Sequence, residues 1–554
     1  MFKLPPAPRL TGSVLRSVVG AAKSEAIRRP IVALMRKDLG IDAAFALPAS
    51  MRGPQPLDVI PTRARAPRAR GGSLDLPAVP SAIASARAWT SAFEAAPARV
   101  VEVTERAIAE AKRLEAARPT LACFTSMDEE GALRDARASA ARYEAGAPKS
   151  ALDGVVVPIK EEVDVAGYGY RLGTAFMPPR RDAVDATCVA KLRDAGAIIL
   201  GSTAMTEMGM SPLGGNVQRA MPRNVHAVDR LPGGSSTGSA VAVGSGLAPV
   251  AIGSDGGGSI RIPACFNGLF GIKPTFGAIS RHGDGFGGTV DHLGPIGASA
   301  HDLAALLEIA VGEDEHDPLT RGVPAGDGRF LAALGAGVKG MKIGVLESEI
   351  DAAAPEIARA CREALAALVR EGAELVEVDL PLAAHASGIG YVTIGIEAYT
   401  SLLAARRDRW DQLGPDLQLL MRLLSEFGSS DYVDAQCLRA TMRAQTAELL
   451  RRVDVLALPT TATVAPTVTA LDLSQGFADT AALHATCRFS FVGNLTGLPA
   501  GTAPVGRGEG DMPVGLQIMG DAHDEMSVLA VLAHLERTGV AEVRAPRVAV
   551  SPLG

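Results

Sequence analysis

Ser235 and Ser259 stand 24 residues apart, each in a run of glycine and small residues, and Lys160 follows the apolar run Val155-Val156-Val157-Pro158-Ile159. The second run reads Gly253-Ser254-Asp255-Gly256-Gly257-Gly258-Ser259-Ile260-Arg261-Ile262-Pro263. Three glycines before a serine let backbone N–H groups converge on one point, because no Cβ blocks their approach. Such a cluster can hold an oxyanion that forms as the neighbouring hydroxyl attacks a carbonyl. A lysine at the end of a buried strand can lose its proton through desolvation and act as a base. Nucleophile, base and oxyanion hole are thus present in outline.

The elements that must position these residues alternate. Residues Pro97 to Gly146 carry a helical pattern with a break near Arg118-Pro119. Strands are expected at Leu152–Ile159, Ile198–Leu200, Ala248–Ile252, Lys342–Val345, Leu375–Val378, Val455–Leu458 and Val514–Met519. Helices are expected at Ala186–Asp194, Thr237–Gly246, Ala358–Glu371 and Met442–Arg452. Apolar strands alternating with helices imply a sheet covered on both faces. The expected fold class is α/β, a single large α/β/α sandwich with a central mixed, mostly parallel twisted sheet. No internal repeat and no clean linker follow residue 75, so residues 76–554 read as one catalytic domain.

Residues 1–75 differ from the rest. The first 72 carry 13 Lys and Arg against 4 Asp and Glu, a net of +9 in a chain whose overall charge is −6. Val14 to Met35 reads as one basic amphipathic helix, and Arg63 to Arg70 as a Pro/Ala/Arg segment. The extension is expected to pack on the body or to be partly disordered; a membrane-surface or partner-binding arm is the alternative.

Composition excludes several classes. The overall charge makes no general case for nucleic-acid binding. With 47% hydrophobic but 4% aromatic residues, the core must be rich in Ala, Val and Leu. The six cysteines are scattered without a C-x-x-C pair, which reads as reduced thiols rather than disulfides or a zinc site. His282, His292 and His301 are spaced too widely for helical metal ligands. No stretch reaches the ~20 apolar residues of a membrane span, and no secretory signal is evident. The expectation is a cytoplasmic, metal-free protein without cofactor.

The order of Lys160, Gly233-Gly234-Ser235-Ser236 and Asp255-Gly-Gly-Gly-Ser-Ile-Arg-Ile-Pro resembles the amidase signature family. The resemblance begins near Pro97 and takes in Pro158-Ile159-Lys160-Glu161-Glu162-Val163-Asp164 and Gly271-Ile272-Lys273-Pro274-Thr275. It continues through Asp454–Thr460, Asn494–Ala500 and Pro513–Gly520. It implies Ser259 as nucleophile, Ser235 as a bridging serine in a cis peptide and Lys160 as base. It further implies backbone N–H groups of Gly256, Gly257, Gly258 and Ser259 as the oxyanion hole. The implied reaction is hydrolysis of a carboxamide through a Ser acyl-enzyme. In the family the pocket is lined by the segment matching Gly201–Asn216, here with Met208 and Gly209, and by a variable stretch at about Ala384–Asp434. Three departures stand out: Thr237 replaces a usual glycine, Ser254 a common threonine, and Gly256 an often bulkier residue.

Single residues carry competing readings. Asp255 resembles a general base, but Arg261 lies six residues on and suits a buried ion pair fixing the glycine loop. Ser236 satisfies the G-x-S-x-G elbow of α/β-hydrolases, yet Asp229-Arg230-Leu231-Pro232 is a poor strand; as a neighbour it would serve through hydrogen bonds. Met205, Met208 and Met210 suit an apolar acyl group or plain core filling. Rival functions are an amidotransferase component that works with partner subunits on mischarged tRNA, an inactive relative that binds, and an esterase using Ser236. The favoured reading needs only a small-molecule amide, with no nucleic acid, and is compatible with a homodimer.

Overall fold

Short apolar strands and helices alternate along the chain of the computed structural model, which describes residues 8–53, 61–64, 81–169, 171–177, 184–400 and 409–554. In chain order the first strands are β1 Leu10–Thr11, β2 Phe124–Met127, β3 Ile159–Lys160, β4 Gly201–Thr203, β5 Val250–Ser254, β6 Phe270–Lys273 and β7 Leu293–Gly297. There follow β8 Lys342–Val345, β9 Glu374–Glu377, β10 Val455–Pro459, β11 Phe477–Ala478, β12 Ala500–Arg507 and β13 Pro513–Met519. Eleven of these form one sheet in the order β2-β4-β3-β5-β7-β6-β12-β13-β10-β8-β9, while β1 pairs with β11 separately.

The sheet is mixed, as expected, but it is not mostly parallel. Parallel pairing joins β4 to β3, β3 to β5, β10 to β8 and β8 to β9. The other six neighbour pairs are antiparallel. The cause lies in the connections. Parallel neighbours need a long crossover, usually a helix, whereas β12 and β13 are joined by the short turn Gly508–Met512. Residues 274–292 between β6 and β7 likewise contain no helix.

Strands β5, β7, β10 and β13 are buried at every position, so side chains pointing to both faces are covered. The helix Pro355–Arg370 shows how the cover is built. Its buried residues Ile357, Ala360, Cys361, Ala364, Leu365 and Leu368 recur at three and four, forming one apolar stripe. The helix Thr237–Gly244 is buried at all eight residues, which its small side chains permit.

Three sequence expectations need correction. The strand expected at Ile198–Leu200 begins only at Gly201, as β4, and Ile198 makes a single isolated bridge. Leu152–Ile159 is not one strand: 151–154 form a turn, held by Asp153, which accepts from Ser139 Oγ at 2.7 Å and Arg142 Nε at 2.8 Å. Only Val156 bridges to Ile198 before β3 begins. The single helix expected over Val14–Met35 is two, Gly12–Ala21 and Glu25–Asp38, because Ser24 is extended. A short helix Ile41–Phe45 follows. This arm lies against the body: Leu15, Val19, Val32, Met35, Leu39 and Ile41 are buried, and Arg9 Nη2 meets Asp472 Oδ2 at 2.8 Å. The segment 65–70, most of the Pro/Ala/Arg run, lies outside the described residues. Among the described residues no helix is long and apolar enough to cross a membrane.

Candidate active site

Lys160 ends β3, between β4 and β5 in the sheet. Its side chain is fully buried, and Nζ donates to Ser235 Oγ and to Ser254 Oγ, both at 2.7 Å. The same nitrogen is 3.2 Å from Glu162 Oε1. Ser235 reaches this point because it precedes the helix Thr237–Gly244, which is fastened to the strands. Thr203 Oγ1 on β4 shares a 2.7 Å hydrogen bond with Ser239 Oγ, and Ser239 Oγ donates to Ile252 O of β5 at 2.9 Å. Gly238 makes that approach possible. A Cβ there would fall 2.3 Å from Cys123 O and 2.5 Å from Ala204 N. The Gly234–Ser235 peptide is cis. Thr237 Oγ1 donates to Gly233 O at 2.8 Å, so this departure from the family pattern ties the turn together.

The glycine loop after β5 is organised by Asp255. Its Oδ1 accepts from Gly258 N at 2.7 Å, and its Oδ2 from Ile260 N at 3.1 Å. Arg261 adds Nε at 2.9 Å and Nη2 at 2.8 Å, and Asn494 Nδ2 adds a bond of 2.9 Å to Oδ1. Burial alone would raise the Asp255 pKa. The Arg261 charge and these hydrogen bonds outweigh it and hold the carboxyl well below the usual range. Asp255 is therefore an ionised anchor of the loop, as its spacing to Arg261 suggested, rather than a proton acceptor.

This anchoring corrects one expectation for the oxyanion hole. The Gly258 N–H is spent on Asp255 and does not face a substrate. The N–H groups of Gly256, Gly257 and Ser259 make no hydrogen bond among the described residues. Gly258 has φ of +117°, and a Cβ there would meet Ile262 Cδ1 at 2.4 Å, so only glycine suits it. Ser236 is also settled by geometry. Its hydroxyl donates to Ser254 O at 3.1 Å and accepts from Ser254 N at 3.2 Å, fully buried. No strand leads into it, so the elbow geometry is absent.

Ser259 and Gly257 line a narrow apolar cavity of about 50 Å³ with Gly209, Met210, Ile394, Leu424 and Phe491. Of the two pocket candidates, Gly209 lies here: a Cβ on it would be 3.6 Å from Ser235 Oγ. Met208 is not in the lining: it is fully buried behind it, in an apolar cluster with Leu172, Met205 and Leu413 that also includes the lining residue Leu424. Five lining residues escaped the sequence reading: Leu39 and Ile41 of the N-terminal arm, and Leu483, Cys487 and Phe491. The only signal for the first two was the arm's apolar periodicity. Ile394, Leu424 and Phe427 come from the variable stretch, of which 401–408 lie outside the described residues. A larger cavity of about 1110 Å³, bordered by Arg118, Arg171, Arg219 and Arg223, includes none of Lys160, Ser235 and Ser259 in its lining.

No ion need be invoked to explain the other buried charges near the site. Lys273 is pushed well below the ordinary lysine pKa by burial, and it donates to Leu498 O at 2.6 Å and Pro274 O at 3.0 Å. Burial likewise keeps His292 neutral, with Nδ1 3.2 Å from Asp255 O. Glu162 and Asp291, which the sequence reading did not single out, are buried carboxyls whose pKa values burial raises.

A family model described as Amidase matches residues 102–529. The chain belongs to the amidase signature family. A fatty acid amide hydrolase from Medicago truncatula is 34% identical over 430 residues, covering 76% of this chain and 70% of that protein. A glutamyl-tRNA(Gln) amidotransferase subunit from Roseiflexus castenholzii is 34% identical over 461 residues, covering 79% and 92%. The solved peptide amidase from Stenotrophomonas maltophilia aligns with a TM-score of 0.71 at 26% identity, covering 84% of this chain and 99% of that one. The protein is an amidase, a hydrolase of carboxamide C–N bonds.

Proposed function

We propose that the amidase works through a Ser259–Ser235–Lys160 relay on a small amide with an apolar acyl group. The observation that carries the relay is the 2.7 Å contact of buried Lys160 Nζ with Ser235 Oγ, in a chain whose Ser259 lines the adjoining cavity. Lys160 accepts the Ser235 proton while Ser235 accepts that of Ser259, whose oxygen bonds to the carbonyl carbon. The oxyanion is met by the N–H groups of Gly256, Gly257 and Ser259, each good donor contributing roughly 3 kcal/mol. The relay returns the proton to the leaving nitrogen, and the C–N bond breaks with release of ammonia or amine. Water then attacks the acyl-enzyme by the same route and frees a carboxylate. No hydrogen bond joins Ser235 to Ser259 among the described residues in this state, and such contacts commonly tighten once substrate is bound.

The apolar lining supports the acyl preference, and the name of the Medicago relative points the same way. Six free cysteines support a reducing, cytoplasmic setting. The test is intact mass and peptide mapping after fluorophosphonate treatment. One adduct on Ser259 is expected; an adduct on Ser236 refutes the relay. Release of ammonia or amine from a panel of primary amides, anilides and peptide amides then defines the substrate.

A second reading rests on the Roseiflexus relative, whose similarity spans 92% of that protein. Under it the protein would transfer ammonia from glutamine within a complex. Co-purification with partner subunits, together with glutaminase activity that depends on them, distinguishes the two.

A further inference from the structure

The cavity of about 1110 Å³ that omits the relay residues is bordered by Arg118, Arg171, Arg219 and Arg223. Against these four cations its described lining holds two carboxylates, Glu115 and Glu161, so positive charge is in excess. The arginines fall into two pairs. Arg219 holds Glu161 through Nη1 at 2.7 Å and Nη2 at 3.3 Å, and the Arg171 charge also favours the ionised Glu161. The Arg171 guanidinium itself forms no hydrogen bond or ion pair among the described residues. One carboxylate thus serves two guanidinium groups.

The second pair is Arg118 and Arg223. Arg223 N donates to Thr120 O at 3.3 Å, which places Arg223 beside the turn that carries Arg118. Arg118 spends Nη1 on the carbonyls of Glu115, Ala116 and Ala117, while its Nη2 has no partner among the described residues. The half-buried Arg223 guanidinium has none at all there. Burial pulls the Arg223 pKa below its ordinary value, and no carboxylate offsets that.

Cations half stripped of water and left without partners are costly, because nothing replaces the lost hydration. Ser126 Oγ, in the same lining, is buried and also lacks a hydrogen-bond partner among the described residues. The open groups are therefore donors, and they call for an acceptor-rich ligand. The planar fork of an arginine matches the paired oxygens of a carboxylate or a phosphate. The volume is far more than one inorganic ion fills and suits an organic molecule, whose carbon skeleton Phe124, Met221 and Leu473 would cover.

We propose that this cavity binds a small organic dianion, one carboxylate or phosphate group held by Arg118 and Arg223 and the other by Arg171 and Arg219. The site is separate from the one that cleaves the amide, and the inference does not depend on the relay.

The experiment is isothermal titration of the full chain with α,ω-dicarboxylates from succinate to suberate, and with alkanediol bisphosphates of the same lengths. The monoanion of each length is the control. At least one dianion is expected to bind saturably and about ten-fold or more tighter than its monoanion, since each charged pole adds its own hydrogen bonds. The series that binds tighter names the group the natural ligand carries. Arg223→Gln and Arg171→Gln, which remove one charge from each pole, should each weaken that dianion by about ten-fold. Absence of saturable binding by every dianion overturns the proposal. So do dianions that bind no better than monoanions, and variants that bind as well as wild type. If a variant does not fold, phenylglyoxal modification of wild type decides, with the modified arginines mapped by peptide mass. Protection of Arg223 and Arg171 by the bound dianion is expected, and equal modification with and without it refutes the site.

Discussion

Arg261 grips the Asp255 carboxylate through Nε at 2.9 Å and Nη2 at 2.8 Å, and neither side chain has any exposure to solvent. The pair joins the loop bearing Ser259 to the second half of the chain, because Arg261 Nη1 also donates to Ser490 O at 2.9 Å and Gln517 Oε1 at 2.5 Å. Removing one partner leaves a buried charge without its complement. Arg261→Met or Asp255→Asn is therefore expected to cost about 3–5 kcal/mol in a denaturant titration, with activity falling in parallel. The Asp255 pKa is depressed on folding, so its stabilisation is complete above the unfolded carboxylate range and disappears as pH falls further. Asp255→Asn should flatten that acid-side loss.

The relay predicts a set of kinetic losses. Ser259→Ala and Lys160→Ala should each lower kcat/KM by about 10³-fold or more, and combining them should cost little beyond either alone. Additive losses in the double variant would count against a relay. Ser236→Ala removes a buried hydrogen-bond partner of Ser254 and should cost about 1–3 kcal/mol of stability while Ser259 still labels.

Glu536 predicts an alkaline trend in stability. Burial raises its pKa to about 8, and its carboxyl accepts from Ala300 N at 3.1 Å. A pKa raised on folding stabilises below the unfolded carboxyl range, and the contribution is lost as pH climbs to about 8. Glu536→Gln should consequently gain on wild type between pH 5 and pH 8, by on the order of a few kcal/mol, with the difference constant above that range. Unfolding free energies measured across the range check the sign; a difference that does not vary with pH contradicts it.

The arm predicts a change of specificity. Leu39 and Ile41 border the cavity that Ser259 also lines. Ile41→Phe adds bulk there and should lower kcat/KM for long apolar acyl amides by roughly ten-fold or more while sparing short ones, since about 1–3 kcal/mol separates neighbouring chain lengths in such pockets. An equal fall across a chain-length series would show that Ile41 only supports the fold.

Local chemistry made part of this protein legible from its residues. Lys342–Val345 reads as a strand with the bounds the structure has, because an apolar run lies between Gly340 and a charged helix start. The Asp255–Arg261 pair followed from a six-residue spacing that a tight loop keeps in reach. Ser236 could be demoted from the poor strand before it. Pairing direction was another matter. Whether β12 meets β13 antiparallel depends on a five-residue turn closing as a hairpin, which the apolar pattern of each strand does not encode.

Order and spacing singled out Lys160, Ser235 and Ser259 as the residues whose types announce chemistry, and the resemblance of their motifs pointed to the hydrolase family that the match over residues 102–529 shows. Only the tertiary structure decided their surroundings. Glu162 and Asp291 are 129 positions apart yet share one dry site with Lys160, and Leu39 comes from an arm outside the matched family region to wall the cavity. The same folding spends the Gly258 N–H on Asp255 and buries Met208 behind the cavity wall. Motifs survive as local patterns because a few adjacent atoms do the chemistry. Proton affinity and pocket shape depend on which distant groups share the same dry volume, and only long-range packing sets that.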